Sequence, residues 1–274
     1  MLKTKPMLVT FDGEARSGKG TIVQATKDFL RDECGLKTML IDRGQTFRAL
    51  VVAAGRAGVD IDDPKSIDDY LGNPTNIASC VQFVKDVYHM TKEERSKLLY
   101  NNEVGANSAK IGARASSQDF VRMLTKHWIS DAGDEDFDAV LIDGRSLENI
   151  AIEMDQEKLC DYRLGLYFIC DPVVGARRTL GYAKTAYDDL SASQRSEVDT
   201  LVQQILQRNQ LDHDRAAEPL LRPKNTAVYP LPNMPTNDAP TSRPVYIIDT
   251  SADLTKSEMS LPVAKFVSGV LIQP

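Results

Sequence analysis

The stretch FDGEARSGKGT, Phe11–Thr21, sets three glycines, two basic residues and a threonine directly behind the apolar, partly β-branched run MLVTF at 7–11. Gly13, Gly18 and Lys19 satisfy G-x-x-x-x-G-K, and beyond them Ile22, Ala25 and Phe29 recur at helical spacing until Gly35. A strand, a glycine loop and a helix in that order give the pattern a mechanism. Glycines let successive backbone N–H groups turn inward around an anion, the helix start adds partial positive charge, and Lys19 reaches the outer phosphates of a phosphate chain. The loop therefore reads as a phosphate cradle.

Outward from it, KTMLID at 37–42 reads as a second strand and QTFRALVVAAGRAG as a helix ending at Gly58. This βαβα rhythm predicts a parallel sheet. Residues 59 to about 100 are acidic and turn-rich, with no dominant period, and read as an insert. Helical composition returns in VGANSAKIGARASSQDFVRMLTKHW. FDAVLID at 137–143 and YRLGLYFICD at 162–171 read as core strands, each closing on an aspartate. DPVVGARRTL opens another helix, and polar GYAKTAYDDLSASQ at 181–194 reads as a mobile lid. Val198, Leu201, Val202, Ile205 and Leu206 form an apolar helical stripe that Pro219 closes off. Prolines crowd 223–244, an expected extended surface loop, before the strand VYIID and a final helix around 255–270.

With 274 residues the chain can bury a sizeable core, and its 42% apolar and 26% charged content is that of a soluble globular protein. A formal charge of -6 argues against bulk nucleic-acid binding, so an anionic ligand must be met by a local basic cluster. Cys34, Cys80, Cys160 and Cys170 are scattered without a CxxC pair and read as reduced, buried thiols of a cytosolic protein. The apolar start is too short for a signal peptide, and no stretch approaches a membrane span. His89, His127 and His213 are too dispersed for a metal or a triad.

A phosphate-bearing acceptor would need a second anion site, built from guanidinium groups. Arg48 follows the second strand on a helix, and Arg145 follows Asp143 at a strand's carboxyl end, where ligands collect in parallel sheets. Arg208, Asp212 and Arg215, spaced i, i+4, i+7, would present cation, carboxylate and cation on one helical face. Taken singly, Arg48 also reads as a solvated helix residue, Arg208–Asp212 as a surface ion pair, and Asp143 as a mere strand end. No N/T-K-x-D motif is present, which disfavours a GTPase switch.

Gly20–Thr21, where most such loops carry Ser or Thr directly after the lysine, resembles the loop of nucleoside monophosphate kinases. The ordered set GEARSGKGT, DRGQTFRAL, EVGANSAKIGARAS, FVRML, LIDGRS, RRTL, QRNQLDHDRAAEPL and IIDTS resembles the cytidylate kinase family across nearly the whole chain. The resemblance implies an α/β P-loop NTPase fold: a parallel sheet flanked by helices (1–58, 101–180 and 196–274), a monophosphate-binding insert at about 59–100 and a lid at about 181–195. It implies a monomeric, cytoplasmic enzyme that uses ATP and Mg2+ to phosphorylate CMP or dCMP. Gly13, Ser17, Gly18, Lys19, Gly20 and Thr21 would hold ATP, Thr21 meeting the metal mostly through water, with Arg178 and Thr250 beside adenine. Arg48, Arg145 and Arg215 would surround the acceptor and transferring phosphates, Arg208 and Asp212 the sugar, Ser108 and Arg122 the cytosine. Lys19, Arg145, Arg215 and Asp143 make up the expected catalytic set, Asp143 organising magnesium or Arg145.

Three positions depart from the family pattern. Arg43 stands where a small hydroxyl residue is usual after Asp42, Ser146 where an aspartate usually follows Gly-Arg and helps to read cytosine, and Phe47 where a tyrosine is usual. These leave open a kinase for another acceptor, such as UMP, or an idle ATP-binding regulator.

Overall fold

A computed structural model describes residues 5–235 and 245–272. In chain order the elements are β1 (Met7–Gly13), α1 (Lys19–Asp32), β2 (Thr38–Asp42), α2 (Arg43–Arg56), α3 (Pro64–Gly72), α4 (Pro74–His89), α5 (Lys92–Leu99), α6 (Asn102–Gly112) and α7 (Ala115–Asp134). There follow β3 (Ala139–Asp143), α8 (Glu148–Gln156), β4 (Asp161–Ile169), α9 (Pro172–Thr179), a 3-10 turn (Tyr187–Asp189), α10 (Ala192–His213), β5 (Val228–Pro230), β6 (Val245–Asp249) and α11 (Lys256–Ile272). The strands form one sheet in the order β2-β3-β1-β4-β6-β5. β1 pairs in parallel with β3 and β4, and β6 with β4 and β5.

The chain divides into two compact units. The first takes residues up to Ile41, Ile129–Asp214 and those from Pro219 onward, and contains the sheet. Its central strands are buried on both faces: Val9, Phe11, Leu141, Leu166 and Phe168 are at most 1% exposed and pack with Ile22 and Val23 of α1 and Val263 and Val267 of α11. Apolar side chains on both faces are what a parallel sheet covered by helices demands. Because β1 is central, its carboxyl end, where the glycine loop begins, is flanked by the ends of β3 and β4.

The second unit is Asp42–Trp128 with Arg215–Glu218, and the insert expected at about 59–100 lies inside it. Where the sequence showed no dominant period there are three helices, each started by a side-chain cap. Asp63 and Asn73 cap α3 and α4, which carry proline in the first turn, and Thr91 with Glu94 forms a capping box on α5. Helices that begin at polar caps and prolines hide their period, although Ile67, Cys80, Val84, Val87 and Leu99 are completely buried.

Three further expectations are corrected. α10 ends at His213, capped by Asp214, well before Pro219, so Arg215 lies off the helix that carries Arg208 and Asp212. On that helix Val198 and Ile205 are buried, but Leu206 is 47% exposed and leaves the stripe. Within 223–244, Val228–Pro230 is an edge strand on β6 and Leu231 is 2% exposed in the core, so this part is not a surface loop. The remainder, 236–244, lies outside the described residues. In the segment expected as a lid, Tyr182 Oη donates to Glu197 at 2.9 Å and Tyr187 Oη to Asp199 at 2.6 Å, both acceptors on α10.

Candidate active site

In the first unit the glycine loop is fastened from behind. The N–H of Glu14 donates to Phe168 O at 2.9 Å and that of Ala15 to Asn209 Oδ1 of α10 at 2.8 Å. Ser17, 1% exposed, donates from Oγ to Glu14 O at 3.0 Å, and Thr250, fully buried after β6, donates from Oγ1 to Ser17 O at 2.8 Å. Gly13 has φ 132°, and a Cβ there would fall within the backbone of Phe168. Gly18, with φ 80°, turns the chain into α1. The next N–H groups, those of Arg16, Ser17, Gly18 and Gly20, donate to no protein acceptor among the described residues. The first turn of α1 carries no acidic residue. A row of unused amides at a helix start with no competing carboxylate suits a polyphosphate.

Side chains complete this end of the sheet. Lys19 pairs with Asp143 at the carboxyl end of β3, with side chains 13% and 16% exposed. Arg145, in the loop after β3, donates to Gly13 O and lies 3.5 Å from Asp212 Oδ2. Thr21 and Arg208 are exposed, on α1 and α10. Arg178 donates to Thr250 O at 2.6 Å and to Ala252 O, which fastens α9 to the loop after β6. Thr250 therefore acts on the glycine loop from inside the protein.

Sequence reasoning missed Asp12. Its carboxylate accepts from Gly13 N at 2.7 Å and from Leu147 N at 2.7 Å, latching the loop that carries Arg145 onto the start of the glycine loop. Burial pushes its pKa above the usual carboxylate value, against the pull of those two N–H bonds, Lys19 and Arg145. Glu14 is raised too, again by burial, opposed first by Arg222. An acid immediately before the first glycine was the available signal. Asn209 was also missed, although it stands inside the block QRNQLDHDRAAEPL.

In the second unit Asp42 caps α2 through Gln45 N at 2.9 Å, and Tyr88 Oη donates to Asp42 O at 3.2 Å. Burial holds the Tyr88 phenol well above its usual range. Arg48 lies over the Tyr100 ring, 4.8 Å from its centroid. Ser108 Oγ donates to Gly105 O of its own helix at 2.8 Å. Arg122 donates to Glu218 Oε1 at 2.8 Å and Arg43 to Glu218 Oε2 at 3.0 Å. Arg215 is half-buried in the short segment that Glu218 ends.

The cysteines are all free thiols. Cys80, Cys160 and Cys170 are buried, Cys34 half-buried, and burial pushes Cys80 and Cys160 up to about 12. No helix among the described residues is long and apolar enough to cross a membrane.

The parallel sheet with a phosphate-binding loop between its central strand and the first helix is the P-loop NTPase fold. The chain belongs to the cytidylate kinase family, whose pattern its residues 9–230 match. It is similar to the cytidylate kinase of Pseudomonas syringae pv. tomato, 23% identical over 230 residues covering 83% of this chain and 88% of that protein. It is similar also to the cytidylate kinase of Chloroherpeton thalassium, 27% identical over 221 residues covering 80% and 84% of the two chains. That of Chlorobaculum tepidum is 24% identical over 238 residues, covering 85% and 89%.

Proposed function

We propose that this protein is a kinase that transfers the γ-phosphoryl group of ATP to CMP or dCMP. The observation that carries the reading is the set of undonated amides of Arg16, Ser17, Gly18 and Gly20, beside the Lys19 side chain and the docked Arg145. Those amides would cradle the β-phosphate, and Lys19, aligned by Asp143, would neutralise charge on the β,γ-bridge. Arg145 would lie against the transferring group, held by Gly13 O and Asp212. Arg48 and Arg215 would bind the acceptor phosphate, with Arg208 and Asp212 on its sugar. Arg178 and the loop after β6 would border adenine.

An acceptor phosphate oxygen bonds to the γ-phosphorus as the bond to the β,γ-bridging oxygen breaks, and ADP leaves. The protein's part is to bring two mutually repelling anions into line and to spread positive charge over the transition state. No group of three or more His, Cys, Asp or Glu among the described residues is arranged to hold a metal. Magnesium would therefore arrive on the nucleotide, with Thr21 and Asp143 contributing mostly through water, and would neutralise phosphate charge. The proposal includes action as a monomer in the cytoplasm, closure of 181–195 over ATP, and no nucleic-acid partner, in keeping with the charge of -6.

The test is ADP release with ATP, magnesium and each of CMP, dCMP, UMP, dTMP, AMP and GMP. Selective turnover of CMP and dCMP is the expected result. Release with none of the six, or with a different one, sinks the reading.

A further inference from the structure

The second unit contains a charged cluster that the phosphate chemistry does not use. Arg43 is 2% exposed, and such a cation inside a protein requires a partner. It donates to Glu218 Oε2 at 3.0 Å and to Gln118 Oε1 at 3.3 Å. Gln118 is oriented by its own amide, which donates to Gly112 O. The other carboxylate oxygen of Glu218 accepts from Arg122 at 2.8 Å. Exposure rises across the cluster from Arg43 through Glu218, 11%, to Arg122, 35%. Arg43 is the support at the back, and Glu218 with Arg122 forms the face.

As a device for stability alone the cluster is poor. A buried ion pair is worth little against an apolar replacement of similar volume. Glu218 also has φ 49°, a left-handed backbone that costs a non-glycine residue about 1–2 kcal/mol. A strained backbone that delivers a carboxylate to a fixed place between two guanidinium groups points to a use for that carboxylate.

We propose that Glu218, held by Arg43, is the base-reading carboxylate of this chain's acceptor site, acting beside Arg122. The inference rests on the reading of the acceptor as a pyrimidine monophosphate. A carboxylate next to a guanidinium offers an acceptor followed by donors. Cytosine presents the complement, an amino donor followed by the N3 and O2 acceptors. Uracil places a carbonyl acceptor and an N–H donor at the first two positions and is mismatched at both. Ser146, after Gly144–Arg145, supplies no charge for this purpose. Arg43 and Glu218 are then a coupled pair, the arginine being the positioning residue.

The experiment measures CMP and UMP dissociation constants by calorimetry for the full chain, with turnover alongside. Wild-type protein is expected to bind CMP at least tenfold more tightly than UMP, and Glu218→Gln to reduce that ratio at least tenfold, with part of the change a gain for UMP. Equal weakening of both ligands by Glu218→Gln would make Glu218 purely structural and overturn the inference. If Glu218→Gln does not fold, the double variant Arg43→Ser/Glu218→Ala, which removes both buried charges, decides: loss of the CMP preference supports the inference and its retention overturns it. Wild-type protein with no measurable preference for CMP overturns it outright. Failure of turnover with intact, selective CMP binding would count against the kinase reading alone.

Discussion

The glycine loop of the first unit and the Arg43–Glu218–Arg122 cluster of the second are both built to neutralise charge, by opposite means. In the loop the machinery is backbone, fastened from behind by Asp12, Asn209 and Thr250, and contiguous from residue 12 to 21. In the cluster side chain meets side chain, drawn from positions 43, 118, 122 and 218. A site of backbone amides tolerates loss of a side chain as a folded structure and pays in rate. A site of mutually neutralising side chains loses its fold stability when one member goes.

The largest effect that could break this comparison is expected from Arg43→Ala. It removes the buried one of the two guanidinium groups that neutralise Glu218, leaving Arg122, and should destabilise by about 3 kcal/mol, the low end for a broken buried pair. Urea denaturation should show the double variant Arg43→Ala/Glu218→Ala recovering part of that loss, a positive coupling between the two. Additive losses would mean that the cluster is not a unit. Lys19→Met is the counterpart in the loop. The ADP-release rate should fall about 10²–10³-fold, the cost of losing one transition-state charge contact, while the urea midpoint stays near wild type. A midpoint that falls as far as for Arg43→Ala would erase the distinction.

Asp12 is the exception within the loop, being a buried side chain, and it tests where the line runs. Asp12→Asn keeps the shape but can accept from only one of Gly13 N and Leu147 N, so a loss of about 1–3 kcal/mol is expected. The pH dependence separates charge from shape. Because burial raises the folded-state pKa of Asp12 above 3.8, the native protein holds a proton over a window in which the unfolded chain has released it. Stability from this group therefore falls as pH rises through that window, and the burial cost is complete above it. The gap between wild type and Asp12→Asn should widen as pH drops toward the ordinary carboxylate range. A gap independent of pH would mean that the Asp12 carboxyl titrates normally.

The same contrast explains what could be read in advance. The phosphate loop, the strands ending at Asp42 and Asp143, and the helix after Lys19 were legible because each is local and periodic. The three helices α3, α4 and α5 were not, since their caps and prolines resemble turns and their buried residues are few per helix. Arg215 was misplaced onto α10 because i, i+4, i+7 spacing is satisfied on paper past His213, where the Asp214 cap ends the helix. Arg43 was noticed as a cation in place of a small hydroxyl residue, but its partner lies at position 218, and no local pattern links two residues so far apart. Glu218 itself stands beside Pro219 in a run that reads as a loop.

The smallest expected effect lies at Arg16, where the loop carries its own trace of strain. Its φ of 60° is left-handed, a conformation costing a non-glycine residue about 1–2 kcal/mol. Glycine would relieve that cost but lose about 0.5–1 kcal/mol more backbone entropy on folding than other residues do. Arg16→Gly should therefore raise stability by no more than about 1 kcal/mol, visible as a small increase in the urea midpoint. Its guanidinium is exposed at the tip of the loop, ahead of the undonated amides. If it meets the phosphates of ATP, the same variant should raise the KM for ATP several-fold while leaving kcat near wild type, because an exposed cation assists binding equally in ground and transition states. An unchanged KM would assign the arginine to solvent and leave backbone amides and Lys19 as the whole of the loop's grip. Reduced stability would show instead that Arg16 supports the loop through its side chain, bringing this end of the protein closer to the cluster with which it is contrasted.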